Sequence, residues 1–325
     1  IELVYQEIHA LTQLKNRNIV NLYDVKTPWE MKRLHNHPSQ TQPDYILKFE
    51  YCDQGDLHKA LKTPTAFQEY RTPEGGFNVR FTMHILEQLL DGLEYIHDQG
   101  YVHRDIKTGN VLLKTRPHTP KELPLVKIAD LGFTTRIQRD NLDQLNTICG
   151  TVGYMAPEIV SRHVFKEPKQ NLSFTTILPY TLSQPTTTTT NDYSIPTTEP
   201  QLQLQPPPLP FQQQIQSRDT WSCGIVLYEL MTNTLPTIFQ KSNLTQIDII
   251  ALTAHIPIEL RDIILGMMTI DMTARPTIKE TKQQFIEQCD QDSWTDISDS
   301  NTDPPSIGEM TVEQPIIPTL QSRLT

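Results

Sequence analysis

The chain has 325 residues with 20 % charged side chains, a net charge of −10 and a pI near 5.5. No block of Lys or Arg stands out, which argues against nucleic acid as a primary partner. No apolar run reaches the ~20 residues that a membrane span needs, and the four cysteines form no Cys-x-x-Cys pair. We therefore expect no membrane partner, zinc site or disulfide framework, and a location in the reducing cytoplasm or nucleus.

The first predicted element is an amphipathic helix over residues 2–14, where Leu and Ile recur at helical spacing. Apolar runs at residues 19–25 and 45–52 predict two strands, and residues 26–44 between them predict a long loop. The chain opens at Ile1, inside the helical pattern and not at a Met. We therefore expect it to be a piece of a longer protein.

Two helices are predicted next, at residues 56–61 and 81–97, with Gly100 as a stop signal. Short strand-like stretches follow at residues 111–113 and 126–128. Further helical patterns lie at residues 221–231, 258–268 and 278–288. The apolar density of these segments predicts one folded region that is interrupted by other sequence.

Two tracts have too few apolar residues to offset the entropy cost of ordering, and we predict both to be disordered. They are a Thr/Gln/Pro-rich insertion at residues 168–216 and an acidic tail at residues 291–325. Within the insertion, the run from Pro206 to Pro210 favours polyproline II and resembles a ligand for WW- or SH3-type domains. The alternative is a solvated spacer, which is the commoner role of a Pro-rich run.

Three motifs carry the candidate chemistry. Residues 102–113 read VHRDIKTGNVLL, residues 128–132 read IADLG, and residues 150–158 read GTVGYMAPE. Their order and spacing resemble the catalytic loop, magnesium-binding triplet and activation-segment end of eukaryotic-type protein kinases of the Ser/Thr class. A lone His-Arg-Asp is more often a turn whose Asp caps the backbone, but the matching Lys, Asn and downstream motifs disfavour that interpretation.

The resemblance implies that Asp105 is the catalytic base or substrate-orienting carboxylate and that Lys107 neutralises charge on the γ-phosphate. It also implies that Asn110 and Asp130 hold metal ions. Phosphoryl transfer needs a carboxylate near the incoming hydroxyl, a cation at the phosphate and oxygen ligands for Mg²⁺. The implied cofactors are ATP and Mg²⁺, and the implied substrates are protein Ser/Thr hydroxyls.

Residues 49–52 read FEYC and resemble the hinge between the two kinase lobes. The resemblance implies that backbone groups of Glu50 and Cys52 bond the adenine edge. It further implies that Asp56 meets the ribose and that Leu112 belongs to the same nucleotide site.

Other positions resemble scaffold residues of the family. Glu7 stands where a helix glutamate is expected, although a solvated helix face is the plainer interpretation of Glu7 alone. Asp219 resembles the aspartate that braces the catalytic loop, and Arg275 resembles the arginine that pairs with Glu158. By contrast, we expect His103 to be a packing residue and not a proton-transfer group.

Thr147 resembles the activation-segment position whose phosphate is bound by the arginine of His-Arg-Asp, here Arg104. The plainer alternative is an exposed loop threonine with neighbouring threonines as competitors. Thr151 is the poorest competitor, because we expect its hydroxyl to bond Asp105 and Lys107.

We therefore expect an α+β, two-lobed protein-kinase fold with a truncated N-terminal lobe and a mainly helical C-terminal lobe. The predicted map places the N-lobe remnant at residues 1–50 and the C-lobe at residues 51–167 and 217–290. The map is completed by the disordered insertion at residues 168–216 and the disordered tail at residues 291–325.

Three departures from the family pattern bear on activity. The Gly-rich loop and the strand lysine, which the family carries upstream of its first helix, are not among these 325 residues. The metal triplet reads Asp-Leu-Gly, and a long insertion separates Glu158 from Asp219. We expect the whole protein to be an ATP-dependent Ser/Thr kinase and these residues alone to be inactive, with a pseudokinase scaffold as the alternative.

Overall fold

The computed structural model describes residues 2–26, 45–115, 123–138, 145, 147–164, 211–236 and 244–291. Most of the predicted loop, from residue 27 to residue 44, lies outside the described residues. So do residues 168–210 of the predicted insertion, including the run from Pro206 to Pro210, and the tail from residue 292 onward. Residues up to Phe285 belong to one compact unit.

The N-terminal part consists of one helix and a two-stranded antiparallel sheet. Helix α1 spans Glu2–Gln13, and strand β1 (Leu22–Lys26) pairs with strand β2 (Ile46–Phe49). The helical spacing of its apolar residues lets α1 bury Ile8 and Leu11, which are 4 % and 1 % exposed. The N-terminal helix and two strands predicted from the sequence are therefore present.

The first strand begins later than predicted because the residues before it bond elsewhere. Ile19 forms a parallel bridge with Ile128, and the Val20 N–H donates to the Ile128 carbonyl at 2.9 Å. Ile128 in turn donates its N–H to the Asn18 carbonyl at 2.7 Å. This segment therefore connects the N-terminal part to the strand that precedes the predicted metal triplet.

The rest of the described chain is mainly helical. Its helices are α2 (Leu57–Lys62), α3 (Val79–Asp98), α4 (Pro157–Val164), α5 (Phe211–Thr232), α6 (Gln246–Thr253), α7 (Ile258–Met267) and α8 (Ile278–Gln291). Two small antiparallel sheets lie among them: β3 (Tyr101–Val102) with β6 (Thr135–Arg136), and β4 (Val111–Lys114) with β5 (Leu125–Ile128). The predicted α+β class is confirmed. Among the described helices, none combines the length and apolar content that crossing a bilayer requires.

Two long helices, α3 and α5, form the centre of the helical part. Helix α3 begins where Asn78 accepts a hydrogen bond from the Phe81 N–H at 3.0 Å, and Gly100, whose φ is 76°, lies two residues beyond its last residue. In α5, a Cβ at Gly224 would lie 3.0 Å from the Cβ of Met267. Glycine at this position therefore permits the close approach of α5 and α7.

The structure corrects the predicted C-terminal boundary of the insertion. Residues 211–216, which we placed in the disordered tract, form the first turns of α5. Ile215 packs in a buried cluster with Leu145, and the Gln216 side chain donates to the His97 carbonyl at 2.8 Å. The prediction failed because residues 211–216 have the glutamine-rich composition of a solvated polar tract. In the structure their glutamine amides instead donate to backbone carbonyls.

Candidate active site

Three polar side chains surround the Asp105 carboxylate, two from the loop between β3 and β4 and one, Thr151, from the third motif. Asp105 Oδ1 accepts from the Thr151 hydroxyl at 2.7 Å, and Oδ2 accepts from Lys107 Nζ at 2.7 Å and Asn110 Nδ2 at 3.1 Å. Lys107 Nζ also donates to Thr151 Oγ1 at 2.9 Å. The structure thus brings together three predicted site residues, and Thr151 makes the two contacts expected of it.

The backbone under this cluster is strained and is braced from α5. Arg104 has a φ of 72°, in the left-handed region that side chains other than glycine rarely adopt. Asp219 accepts from the backbone N–H groups of His103 and Arg104, both at 2.8 Å, and lies 2.9 Å from His97 Nε2. Burial works against ionisation of Asp219, but the hydrogen bond from His97 and the neighbouring donors hold its pKa below the ordinary value. The brace predicted for Asp219 has the expected geometry.

His103 is fully buried and uses both ring nitrogens. Its Nε2 donates to the Ala129 carbonyl at 3.2 Å, and its Nδ1 accepts from the Asp105 N–H at 3.2 Å. Burial lowers the pKa of this imidazole, which favours the neutral ring that such a pair of bonds requires. His103 therefore orients the Asp105 backbone and is not placed for proton transfer.

The predicted metal triplet begins at a sharp turn that faces α1. Asp130 has a φ of 59°, and its carboxylate accepts from the Gly132 N–H at 3.4 Å. Burial, together with the charge of Asp130, raises the pKa of the Glu7 carboxyl. Glu7 lies against this turn, since a Cβ at Gly132 would be 4.0 Å from Glu7 Oε2, and its carboxylate is not on the solvated helix face that its sequence context alone suggested.

Asn110 and Asp130 offer oxygen atoms of the kind that Mg²⁺ prefers. The Asn110 amide nitrogen donates to the main chain and side chain of Asp105, which directs the amide oxygen away from that carboxylate. The Ala129 N–H donates to the Asn110 carbonyl at 2.9 Å and so ties the Asp130 turn to the catalytic loop. Within the described ranges no cluster of three His, Cys, Asp or Glu side chains could hold a metal. Two protein ligands suit an ion that completes its shell with phosphate and water oxygens, as Mg²⁺ does.

The Glu50 side chain is buried behind the predicted hinge. Its carboxylate lies 2.8 Å from Lys127 Nζ and 2.9 Å from Lys114 Nζ, and it accepts from the Asn21 N–H at 2.8 Å. Burial works against ionisation, but the two lysines lower the pKa of Glu50. The Glu50 N–H donates to the Asn21 carbonyl at 2.9 Å, so the Glu50 carbonyl is the backbone group left for a ligand. No residue pattern in the sequence signals this charged cluster, because Lys114 and Lys127 lie far from Glu50 along the chain.

The remaining predicted nucleotide residues lie just beyond the hinge. Cys52 is half-buried, and burial raises the pKa of its thiol. Asp56 caps α2 by accepting from the Lys59 N–H at 2.8 Å, and its backbone forms a bridge with Leu112 on β4. The structure therefore places Asp56 beside Leu112, and one Asp56 oxygen is engaged in the cap.

Two contacts secure the end of the third motif. Arg275 forms two parallel bonds with the Glu158 carboxylate, at 2.9 and 3.0 Å, as the resemblance implied. Tyr154 donates its hydroxyl proton to Glu229 and lies 2.9 Å from the Thr108 hydroxyl. The Tyr154 network was missed from the sequence, where its only signal was a tyrosine inside the motif.

Known proteins share this sequence pattern. The family described as "Protein kinase domain" matches residues 2–198. Serine/threonine-protein kinase ATG1 of Debaryomyces hansenii is 34 % identical over 178 residues, which cover 47 % of this chain and 19 % of that protein. Serine/threonine protein kinase OSK3 of Oryza sativa subsp. indica is 25 % identical over 290 residues, which cover 85 % of this chain and 44 % of that protein. Serine/threonine-protein kinase atg1 of Dictyostelium discoideum is 26 % identical over 277 residues, which cover 83 % of this chain and 30 % of that protein. The chain thus spans less than half the length of each of these relatives.

Proposed function

Since this chain belongs to the protein kinase family, we propose that the whole protein transfers the γ-phosphoryl group of ATP to serine and threonine hydroxyls of proteins. Family membership agrees with the resemblance and the two-lobed fold class that the sequence led us to expect. The observation that carries the proposal is the cluster of Lys107, Asn110 and Thr151 around the Asp105 carboxylate.

Asp105 is proposed to orient the incoming hydroxyl and accept its proton. Its oxygens are held by three donors, and the carboxylate is only 4 % exposed, so its position relative to a substrate is fixed before binding. Lys107, whose side chain is 25 % exposed, can reach from Asp105 toward a phosphate. A fixed ammonium there stabilises the negative charge that develops during transfer.

The nucleotide and metal contacts are proposed from the remaining site residues. MgATP supplies the phosphoryl group and the cationic charge that stabilises its transfer. Asn110 and Asp130 would provide metal oxygens, and the Glu50 carbonyl and Cys52 backbone would bond the adenine. Asp56 and Leu112, which form a backbone bridge, would border the ribose and adenine.

The preference for serine and threonine is supported by the bond between Lys107 and Thr151. This contact of 2.9 Å joins the catalytic loop to the segment that faces the substrate. Lysine at position 107 and threonine at position 151 resemble the Ser/Thr class of kinases and differ from the pattern of tyrosine kinases.

These 325 residues alone are proposed to bind MgATP weakly and to show negligible turnover. The family holds the phosphates with a Gly-rich loop and a lysine on the following strands, and neither segment is among these residues. Isothermal calorimetry with MgATP tests the point directly. Tight binding by the 325-residue chain would contradict it.

We propose a cytoplasmic or nuclear location, supported by the four free cysteines, and no nucleic-acid or membrane partner. A WW- or SH3-type partner at the run from Pro206 to Pro210 is a further proposal, on residues outside those that the structure describes.

A labelling experiment separates the enzyme from the pseudokinase alternative. The whole protein, incubated with γ-labelled ATP, Mg²⁺ and a mixed peptide substrate, should yield labelled phosphoserine and phosphothreonine. Lys107→Met should abolish most of the label, whereas Lys279→Met, at an exposed position on α8, should not. Retained MgATP binding without any transfer would instead support the scaffold.

A further inference from the structure

The first turns of α5 come from the end of the predicted insertion, and the proposed catalysis does not use them. Residues 211–216 are helical, and Gln214, Ile215 and Gln216 are each buried. Buried glutamine side chains need hydrogen-bond partners, because an unpaired amide in the interior is costly. The partners of these turns therefore show which parts of the chain they hold.

The Gln216 side chain bonds the chain just ahead of the catalytic loop. Its amide donates to the His97 carbonyl at 2.8 Å and to the Tyr101 carbonyl at 3.1 Å. Gln212 adds a second bond to the His97 carbonyl, at 3.1 Å. His97 lies in the last turn of α3, and Tyr101 is the first residue of β3. The first turns of α5 therefore fix the connection that leads into the catalytic loop.

An apolar contact from the same turns reaches a second segment of the site. Ile215 lies in a buried cluster with Val102 and Leu145, and Ile137 and Phe211 pack against that cluster. Val102 ends β3 and belongs to the first motif, whereas Leu145 lies between the metal triplet and the third motif. Both are fully buried. One isoleucine side chain therefore packs in the cluster that joins two segments far apart in sequence.

These two segments supply the groups that meet at the candidate active site. The catalytic loop carries Asp105 and Lys107, and the segment after Leu145 carries Thr151, which bonds both. We propose that Ile215 and Gln216 are positioning residues, which hold the two segments together so that Thr151 meets the catalytic loop. The catalytic meaning of this proposal rests on the proposed function, whereas the coupling between the segments can be measured without catalysis.

The test is the rate at which iodoacetamide alkylates Cys149 in the whole protein, with the modified cysteine identified by mass spectrometry. Cys149 follows Leu145 in the same segment, and burial raises the pKa of its thiol, which slows the reaction. Ile215→Ala removes three buried carbon atoms, each worth about a factor of four, so the Cys149 rate should rise at least about tenfold. Cys289, on α8, is the internal reference and should keep its rate.

Matched variants separate this coupling from a general loss of stability. Ile225→Ala removes the same atoms from a buried position of α5 outside the cluster, and should leave the Cys149 rate within about twofold of the wild-type rate. Ile215→Val removes one carbon atom and should raise the rate about fourfold, even if Ile215→Ala fails to fold. Gln216→Met should raise the rate more than Gln212→Met, because Gln216 bonds two carbonyls and Gln212 bonds one.

Steady-state kinetics give a second readout that a merely structural role would not move. A variant that is only less stable lowers the amount of active protein and leaves both KM values unchanged, whereas Ile215→Ala should raise KM for a peptide substrate several-fold and change KM for ATP less. An unchanged Cys149 rate in both Ile215 variants, or an equal rise in Ile225→Ala, would overturn the proposal. The alkylation rates need no turnover, so a failure of the proposed kinase activity would be seen separately.

Discussion

Replacing Asp219 with alanine removes the carboxylate that holds the strained end of the catalytic loop. The side chain accepts from two buried backbone N–H groups, those of His103 and Arg104, both at 2.8 Å. It also pairs with His97 Nε2 at 2.9 Å, and Asp219 is only 1 % exposed. Solvent cannot replace these bonds unless the loop moves.

The expected loss of stability follows from those contacts. Each buried donor left without an acceptor costs about 1–3 kcal/mol, and Asp219→Ala leaves the two backbone N–H groups and the His97 ring without theirs. The left-handed φ of Arg104 stores strain of about 1–2 kcal/mol, and its release in the variant would offset part of that loss. Because these costs overlap, we expect Asp219→Ala to lower the free energy of unfolding by about 3–5 kcal/mol.

Urea unfolding followed by circular dichroism measures this change. Asp262→Ala is the matched control, because the Asp262 side chain is 62 % exposed and an exposed substitution should change the free energy of unfolding by less than about 0.5 kcal/mol. A loss below about 1 kcal/mol in Asp219→Ala, with an unchanged m-value, would refute the bracing role.

Two further predictions concern the same loop. Burial lowers the folded-state pKa of His103, so as the pH falls the unfolded chain becomes protonated at a higher pH than the folded chain does. The free energy of unfolding should therefore fall by up to about 1.4 kcal/mol per pH unit below pH ~6.5. His103→Gln should flatten that dependence in urea titrations at pH 5 to 7, and an identical profile would count against the neutral buried ring. A Cβ at Gly150, whose φ is 107°, would lie 2.6 Å from the Arg104 carbonyl, so Gly150→Ala should cost more than Gly100→Ala, where nothing lies within 4 Å. Both glycines have positive φ and share a backbone cost of about 1 kcal/mol, so equal losses in thermal unfolding would contradict the steric argument.

The elements with a local signal were predictable from the sequence. Helix α3 was placed within two residues at its N-terminus because its apolar period is long, and Gly100 marked its end. The four catalytic-loop and metal positions could be proposed because their motifs are contiguous. Helix α6 was missed although Thr245 and Asp248 form a capping box there, because its isoleucines Ile247 and Ile250 are exposed and give no amphipathic period.

Contacts between distant segments could not be predicted. Glu50 finds its lysines on β4 and β5, far along the chain, and only the fold brings them together. The early start of α5 depends on Ile215 and on glutamine amides that meet backbone carbonyls of another helix end. These contacts cannot be predicted from the sequence, because the start of α5 has the composition of a polar linker and its hydrogen-bond acceptor lies on a distant helix end.

The most direct test of the central claim is the turnover of Asp105→Asn in the whole protein at saturating MgATP. The amide keeps the shape of the side chain but removes the proton acceptor, whose loss typically costs about 10²–10⁴ in rate. We expect kcat to fall by that factor while thermal unfolding changes little, with Asp262→Asn as the control that retains activity. Wild-type kcat in folded Asp105→Asn would remove Asp105 from the reaction and contradict the proposed mechanism.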